Sequence, residues 1–136
     1  MMYALFTGLK EPSFLPKTIL IAEDDVRIRK LLLTCIARHG YGVIVVHDGQ
    51  VALDKIRHSV PALLITDVHM PNLDGLSLIR TLRADYAPSV LPIIVLSAEA
   101  DMLRTKISST LVQHFVNKPV QLSELCTLVH NLIGPP

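Results

Sequence analysis

Residues 18–48 read TILIAEDDVRIRKLLLTCIARHGYGVIVVHD, and the fold is decided in that stretch. Thr18 to Ala22 is a brief apolar run rich in Ile and Leu, the pattern of a strand buried on both faces. Three acids follow, Glu23-Asp24-Asp25, and beyond them Ile28, Leu31, Leu32, Cys35 and Ile36 recur at spacings of three and four. Arg27, Arg29, Lys30 and Arg38 fall on the other side, so this is an amphipathic helix, ended near Gly40. A second apolar run, Val43 to His47, comes next. Strand, helix, strand makes a βαβ unit, with both strands parallel in one sheet and a right-handed crossover between them.

Outward from that unit the alternation continues. Leu63 to Thr66, Ile93 to Leu96 and His114 to Asn117 complete a set of five expected strands. Val51, Ala52, Leu53 and Ile56 mark a second helix, Leu76, Leu78, Ile79 and Leu82 a third, and Leu122, Leu125, Leu128, Val129 and Leu132 a fifth. A fourth helix is expected over about Asp101 to Thr110, with a thin stripe of Met102, Leu103 and Ile107 ahead of a polar Ser-Ser-Thr. Five parallel strands suit a flavodoxin-like, doubly wound α/β sheet of order 2-1-3-4-5, with five helices in a three-layer sandwich. Residues 18–133 form the domain in this reading. Residues 1–17 are a loosely ordered extension carrying Tyr3, Phe6 and Phe14, and 134–136 are a tail or the start of a linker.

Composition narrows the function. Half of the 136 residues are apolar, enough for one substantial core, and Trp is absent, so that core is aliphatic. A formal charge of +1, with both signs interleaved, gives no footprint for direct nucleic-acid binding or for anionic lipid. No apolar run approaches the roughly 18 residues that span a bilayer, and the N-terminus makes a poor signal peptide, which implies a cytoplasmic protein. Cys35 and Cys126 form no CxxC spacing and read as two buried structural thiols, neither zinc cluster nor redox pair. His39, His47, His58, His69, His114 and His130 are scattered without HExxH or similar spacing, so no metal role is expected of their side chains.

The chemistry lies where the apolar runs stop. Glu23-Asp24-Asp25 follows strand 1, Asp67 strand 3, Ser97 strand 4 and Lys118-Pro119 strand 5. Parallel strands bring these groups to one edge, where ligands of such sheets sit. Clustered carboxylates repel unless a cation lies among them, which implies a hard divalent ion, Mg²⁺ first and Mn²⁺ as substitute. Glu23, Asp24 and Asp67 leave coordination positions for water and a phosphoryl group, whose other oxygens Lys118 and Ser97 can bind. Those are the parts of a phosphoryl-transfer site.

With these residues in view, the chain resembles a response-regulator receiver domain from Thr18 to about Ile133. The matching motifs are ILIAEDD (19–25), LLITDVHMPNLDG (63–75), IIVLSAEA (93–100) and FVNKP (115–119). Part of the expected strand order rests on this resemblance. It implies Asp67 as phosphoacceptor, Glu23 and Asp24 as the acidic pair holding Mg²⁺, and His69 as a metal ligand through its backbone carbonyl. Ser97 would contact the phosphoryl group, Phe115 would be the aromatic whose rotamer follows activation, and His69 and Glu99 would tune hydrolysis. The bond from Lys118 to Pro119 would be cis. The implied partners are a sensor histidine kinase or a histidine phosphotransfer protein, and a second copy through helix 4, strand 5 and helix 5.

One departure is visible: Leu111-Val112 stands where the family commonly has Gly-Ala, and the stretch from Ser97 to Lys118 is slightly short, so the geometry of that face is expected to be atypical. Other readings compete for single residues. Glu23-Asp24-Asp25 alone could be a helix N-terminal charge cluster, Phe115 a packing residue, and Ser97 a cap for helix 4. A phosphohydrolase with an aspartyl-phosphate intermediate would want a second carboxylate in Asp-x-Asp, but Asp67-Val68-His69 lacks it. A constitutive interaction domain would have no need of the complete set of acids, hydroxyl and lysine.

Overall fold

The structure is a computed structural model and describes residues 15–136, so Tyr3, Phe6 and Phe14 lie outside the described residues. Five strands, β1 (Thr18–Ala22), β2 (Gly42–Val46), β3 (Leu63–Asp67), β4 (Ile93–Ser97) and β5 (His114–Asn117), alternate with five helices. The helices are α1 (Val26–Arg38), α2 (Gly49–His58), α3 (Gly75–Asp85), α4 (Ala100–Lys106) and α5 (Leu122–Ile133). The sheet is parallel throughout, in the order β2-β1-β3-β4-β5.

Side chains alternate across the sheet with period two, and the core divides accordingly. Leu20, Ala22, Leu64, Ile93 and Val95 pack toward α2, α3 and α4, where Leu53, Ile56, Leu78, Leu82 and Leu103 meet them. Ile19, Ile21, Leu63, Ile65, Ile94 and Leu96 pack toward α1 and α5, against Leu32, Ile36, Leu125, Cys126 and Val129. Both faces are therefore covered, giving the three layers. No helix among the described residues is long and apolar enough to cross a membrane.

Some expectations change. In α1 the row Leu32–Ile36 faces the sheet, while Leu31, about 100° round the helix, is 57% exposed. Helix α4 stops at Lys106, short of Thr110, because Ile107 turns extended (φ −115°, ψ 131°) after its N–H makes the last helical bond, to the Leu103 carbonyl, and the next hydroxyls bond locally. Ser108 Oγ pairs with Thr110 Oγ1 and accepts the Thr110 N–H, a local alternative to the helix ladder. Lys17, placed in the extension by the sequence, is tied to the domain: its carbonyl accepts the Gly42 N–H and its ammonium meets the Ile133 carbonyl. The last residues fold back as well, since Tyr41 donates its hydroxyl to the Gly134 carbonyl.

Candidate functional site

Strands β1, β3, β4 and β5 each end at or next to a polar group on the same edge of the sheet, and the backbone explains why. The Glu23 N–H donates to the Val46 carbonyl, extending β1 by one residue and holding the Glu23 side chain fully buried. Asp25 caps α1, accepting the Arg27 and Ile28 N–H groups, which takes it out of the site and leaves Asp24 exposed beside it. Asp67 is the last residue of β3, one residue beyond the expected end, and is 7% exposed.

The loop after Asp67 is held by two close approaches. A Cβ on Gly75 would lie 2.1 Å from the Asp67 carbonyl oxygen, so only glycine lets α3 start against the Asp67 backbone. A Cβ on Gly49 would meet the Leu73 carbonyl at 1.7 Å. Buried Asp48 caps α2 and accepts a hydrogen bond from Asn72 Nδ2. That bond to Asn72 comes first among the causes holding the Asp48 carboxyl below the usual aspartate range, with the α2 amides helping against burial. Sequence reasoning passed over Asp48 and Asn72; the available signal was an acid directly ahead of a glycine at the end of an apolar run.

Lys118 joins the two carboxylates. Its Nζ lies 2.7 Å from Glu23 Oε1 and 3.3 Å from Asp67 Oδ1, bringing together side chains from the ends of β1, β3 and β5. Asp67 Oδ1 also accepts the Val68 N–H at 2.7 Å. Burial pulls the lysine downward, but the Glu23 and Asp67 carboxylates more than offset it and the ammonium titrates above its ordinary value. Burial raises Glu23, and repulsion from Asp67 adds to that against the pull of Lys118.

Ser97 is buried at the end of β4, and its register partner Asn117 directly precedes Lys118. Its hydroxyl accepts the Glu99 N–H at 2.9 Å, so it supports the turn into α4, while the cap position itself belongs to Glu99. His69 and Glu99 are exposed. Phe115 is half-buried and packs against the α2–α4 side of the core. The Lys118–Pro119 bond is cis.

The donor set fits a hard divalent cation. Glu23 Oε1 is buried without a well-directed hydrogen bond, its neighbour being the Lys118 charge, and the Asp24 and Asp67 carboxylates supply further oxygens. Glu23, Asp24, Asp67 and the His69 carbonyl are the groups that could hold it.

The sequence contacts that looked unremarkable include one surprise. Cys35 and Cys126 are not independent buried thiols: Cys35 is only half-buried and its Sγ lies 2.8 Å from that of Cys126. Spacing along the chain could not reveal this, because 91 residues separate the two cysteines and α1 and α5 are brought together only by packing on the same face of the sheet.

Comparison with known proteins agrees with the geometry. The family model of the response regulator receiver domain matches residues 19–130. Over 117 residues the chain is 39% identical to the sensor histidine kinase TmoS of Ectopseudomonas mendocina, covering 85% of this chain and 12% of that protein. It is 36% identical to the response regulator MprA of Mycobacterium avium (strain 104), covering 85% of this chain and 50% of that one. The chain thus spans half or less of these relatives. Among solved structures, the receiver domain of sensor histidine kinase PA1611 from Pseudomonas aeruginosa PAO1, with magnesium coordinated in its active-site cleft, superposes with a TM-score of 0.78 at 27% identity, covering 88% of this chain and 98% of that one. A Francisella response regulator receiver domain gives 0.78 at 29% identity, covering 86% and 96%. Fold, edge chemistry and relatives converge, and the chain belongs to the response regulator receiver domain family of two-component signalling.

Proposed function

We propose that this chain is a phosphorylation switch in which Asp67 takes a phosphoryl group from a phosphohistidine on a sensor histidine kinase or histidine phosphotransfer protein. The observation that carries the reading is the Lys118 ammonium held between Glu23 and Asp67, at 2.7 and 3.3 Å. Lys118 and the Val68 N–H both engage Asp67 Oδ1, which leaves Oδ2 as the attacking oxygen. Attack forms the O–P bond in line as the P–N bond to the histidine breaks, and the released imidazole retains the electron pair. Lys118 then neutralises a phosphoryl oxygen, and Ser97 exchanges its bond to the Glu99 N–H for one to the phosphoryl group.

Mg²⁺, or Mn²⁺ in its place, held by Glu23, Asp24, Asp67 and the His69 carbonyl would offset the charge of the phosphoryl oxygens. Movement of Ser97 opens room for Phe115 to turn inward, biasing the surface of α4, β5 and α5 toward a partner or a second copy. His69 and Glu99, exposed at the rim, set how readily water reaches the acyl phosphate. The protein is then a cytoplasmic regulator that undergoes one modification per signal, not a turnover enzyme.

The test is incubation with a small acyl phosphate and Mg²⁺, read by intact mass. The expected result is a gain of one phosphoryl group, labile to hydroxylamine, absent in Asp67→Asn and absent with a chelator. A phosphoryl group retained in Asp67→Asn would overturn the assignment.

A further inference from the structure

Cys35 and His39 are four residues apart at the C-terminal end of α1, and Cys126 and His130 are four residues apart on α5. That interval stacks side chains on one helix face, so each helix presents a sulfur and an imidazole together. The two faces meet. All four residues line one groove of about 570 Å³, closed on another side by Tyr41. Both sulfurs and a ring nitrogen of His39 lie within 4.8 Å of one another. His39 Nδ1 is 2.8 Å from the Cys35 carbonyl, which can only accept; Nδ1 therefore carries the proton and Nε2 keeps its lone pair. A backbone carbonyl orienting the second ring nitrogen is how metal-binding imidazoles are commonly held.

We propose that Cys35, His39 and Cys126, completed by His130, form a tetrahedral site for Zn²⁺ that clamps α1 to α5. Two thiolates with two imidazoles suit Zn²⁺, whereas the oxygen donors at Glu23, Asp24 and Asp67 suit Mg²⁺, so the two ions sort by donor softness. With Zn–S bonds near 2.3 Å, a tetrahedral ion sets its two sulfurs about 3.8 Å apart. From 2.8 Å the Cys35 and Cys126 sulfurs separate by about 1 Å to admit it. His39 and His130 are exposed and can reorient by side-chain rotation. A disulfide between the same sulfurs would use neither histidine, which is why the metal is the better occupant.

Both thiol protons pass to solvent as the two Zn–S bonds form. Because binding displaces these protons, affinity rises with pH. The experiment is a Co²⁺ titration of the reduced, chelator-stripped full chain, with Zn²⁺ as competitor. One equivalent is expected to give thiolate-to-cobalt charge-transfer absorption with tetrahedral visible bands, bleached by Zn²⁺; carboxylate oxygens give neither. Cys35→Ser is expected to remove the charge-transfer complex, and His39→Gln and His130→Gln, at exposed positions that leave folding intact, to weaken Zn²⁺ binding at least as much as the ~10–100-fold cost of losing an outer-shell partner. Absence of the charge-transfer band, a band unchanged by Cys35→Ser, affinity unchanged in both histidine variants, or loss of both thiols to a disulfide in protein that takes up no metal would each overturn the site.

Discussion

Strands β3 and β5 each deliver one charged group to the same place, yet they are built in opposite ways. All five residues of β3 are buried, and the loop beyond it is locked through Gly75, Gly49 and the Asp48–Asn72 hydrogen bond. No residue of β5 is fully buried, and the helix before it has only seven residues. Asp67 is therefore positioned by packing. Lys118 is positioned by charge, through its contacts with Glu23 and Asp67. The contrast suits the switch proposed above: the group proposed to be modified is fixed, while the group proposed to answer it sits on the side with less packing to disturb.

Removing the charge at the β5 end should have the largest effect. For Lys118→Met we expect the rate of phosphorylation by a small acyl phosphate to fall by on the order of 10², the cost of one preorganised charge partner, measured under conditions where circular dichroism shows a folded chain. A rate close to that of the parent protein would show that charge is not what places the β5 group.

At the packed end, Gly75→Ala drives a methyl group into the Asp67 carbonyl and should destabilise by about 1–3 kcal/mol in urea unfolding, slowing Asp67 phosphorylation at the same time. If stability falls but the acceptor's reactivity does not, the loop is a support for the fold only.

The opposite side has its own fastening in Arg83 of α3. Its Nε donates to the Leu111 carbonyl, and Nη1 donates to the carbonyls of Leu91 and Tyr86. Gln113 joins in by accepting the Ile93 N–H. Arg83→Met strips donors from several part-buried carbonyls and should cost about 1–3 kcal/mol. Amide exchange should quicken in α4 and β5 and remain slow in β3, which would sharpen the comparison; uniform quickening would break it. Smallest of all, Arg104→Ala removes an exposed ion pair to Asp101 and a bond to the Phe115 carbonyl, and should change stability by less than about 1 kcal/mol. Its signature is a change in the Phe115 ring resonances.

The departure noted at Leu111-Val112 is now intelligible. Val112 is buried in the core and Leu111 packs against it, while Arg83 ties the Leu111 carbonyl to α3. The larger side chains fill the space under a helix that ends early. That the helix ends at Lys106 was hard to read, because Met102, Leu103 and Ile107 keep a helical interval up to the residue where the hydroxyls of Ser108 and Thr110 take over the bonding.

What the sequence by itself determined was everything carried by local order: five apolar runs, the helices between them, and the identity of the groups at the strand ends. Parallel connections leave little freedom in where those ends go, so Glu23, Asp67, Ser97 and Lys118 could be named together before any coordinate was known. Only the tertiary structure decided which face of each helix is covered, leaving Leu31 in solvent and Leu32 in the core. It alone also brought Asp48 to Asn72 and Cys35 to Cys126. Periodicity records how a segment relates to itself; contacts between separate helices depend on how each is rotated against a common sheet, and no interval along the chain encodes that angle.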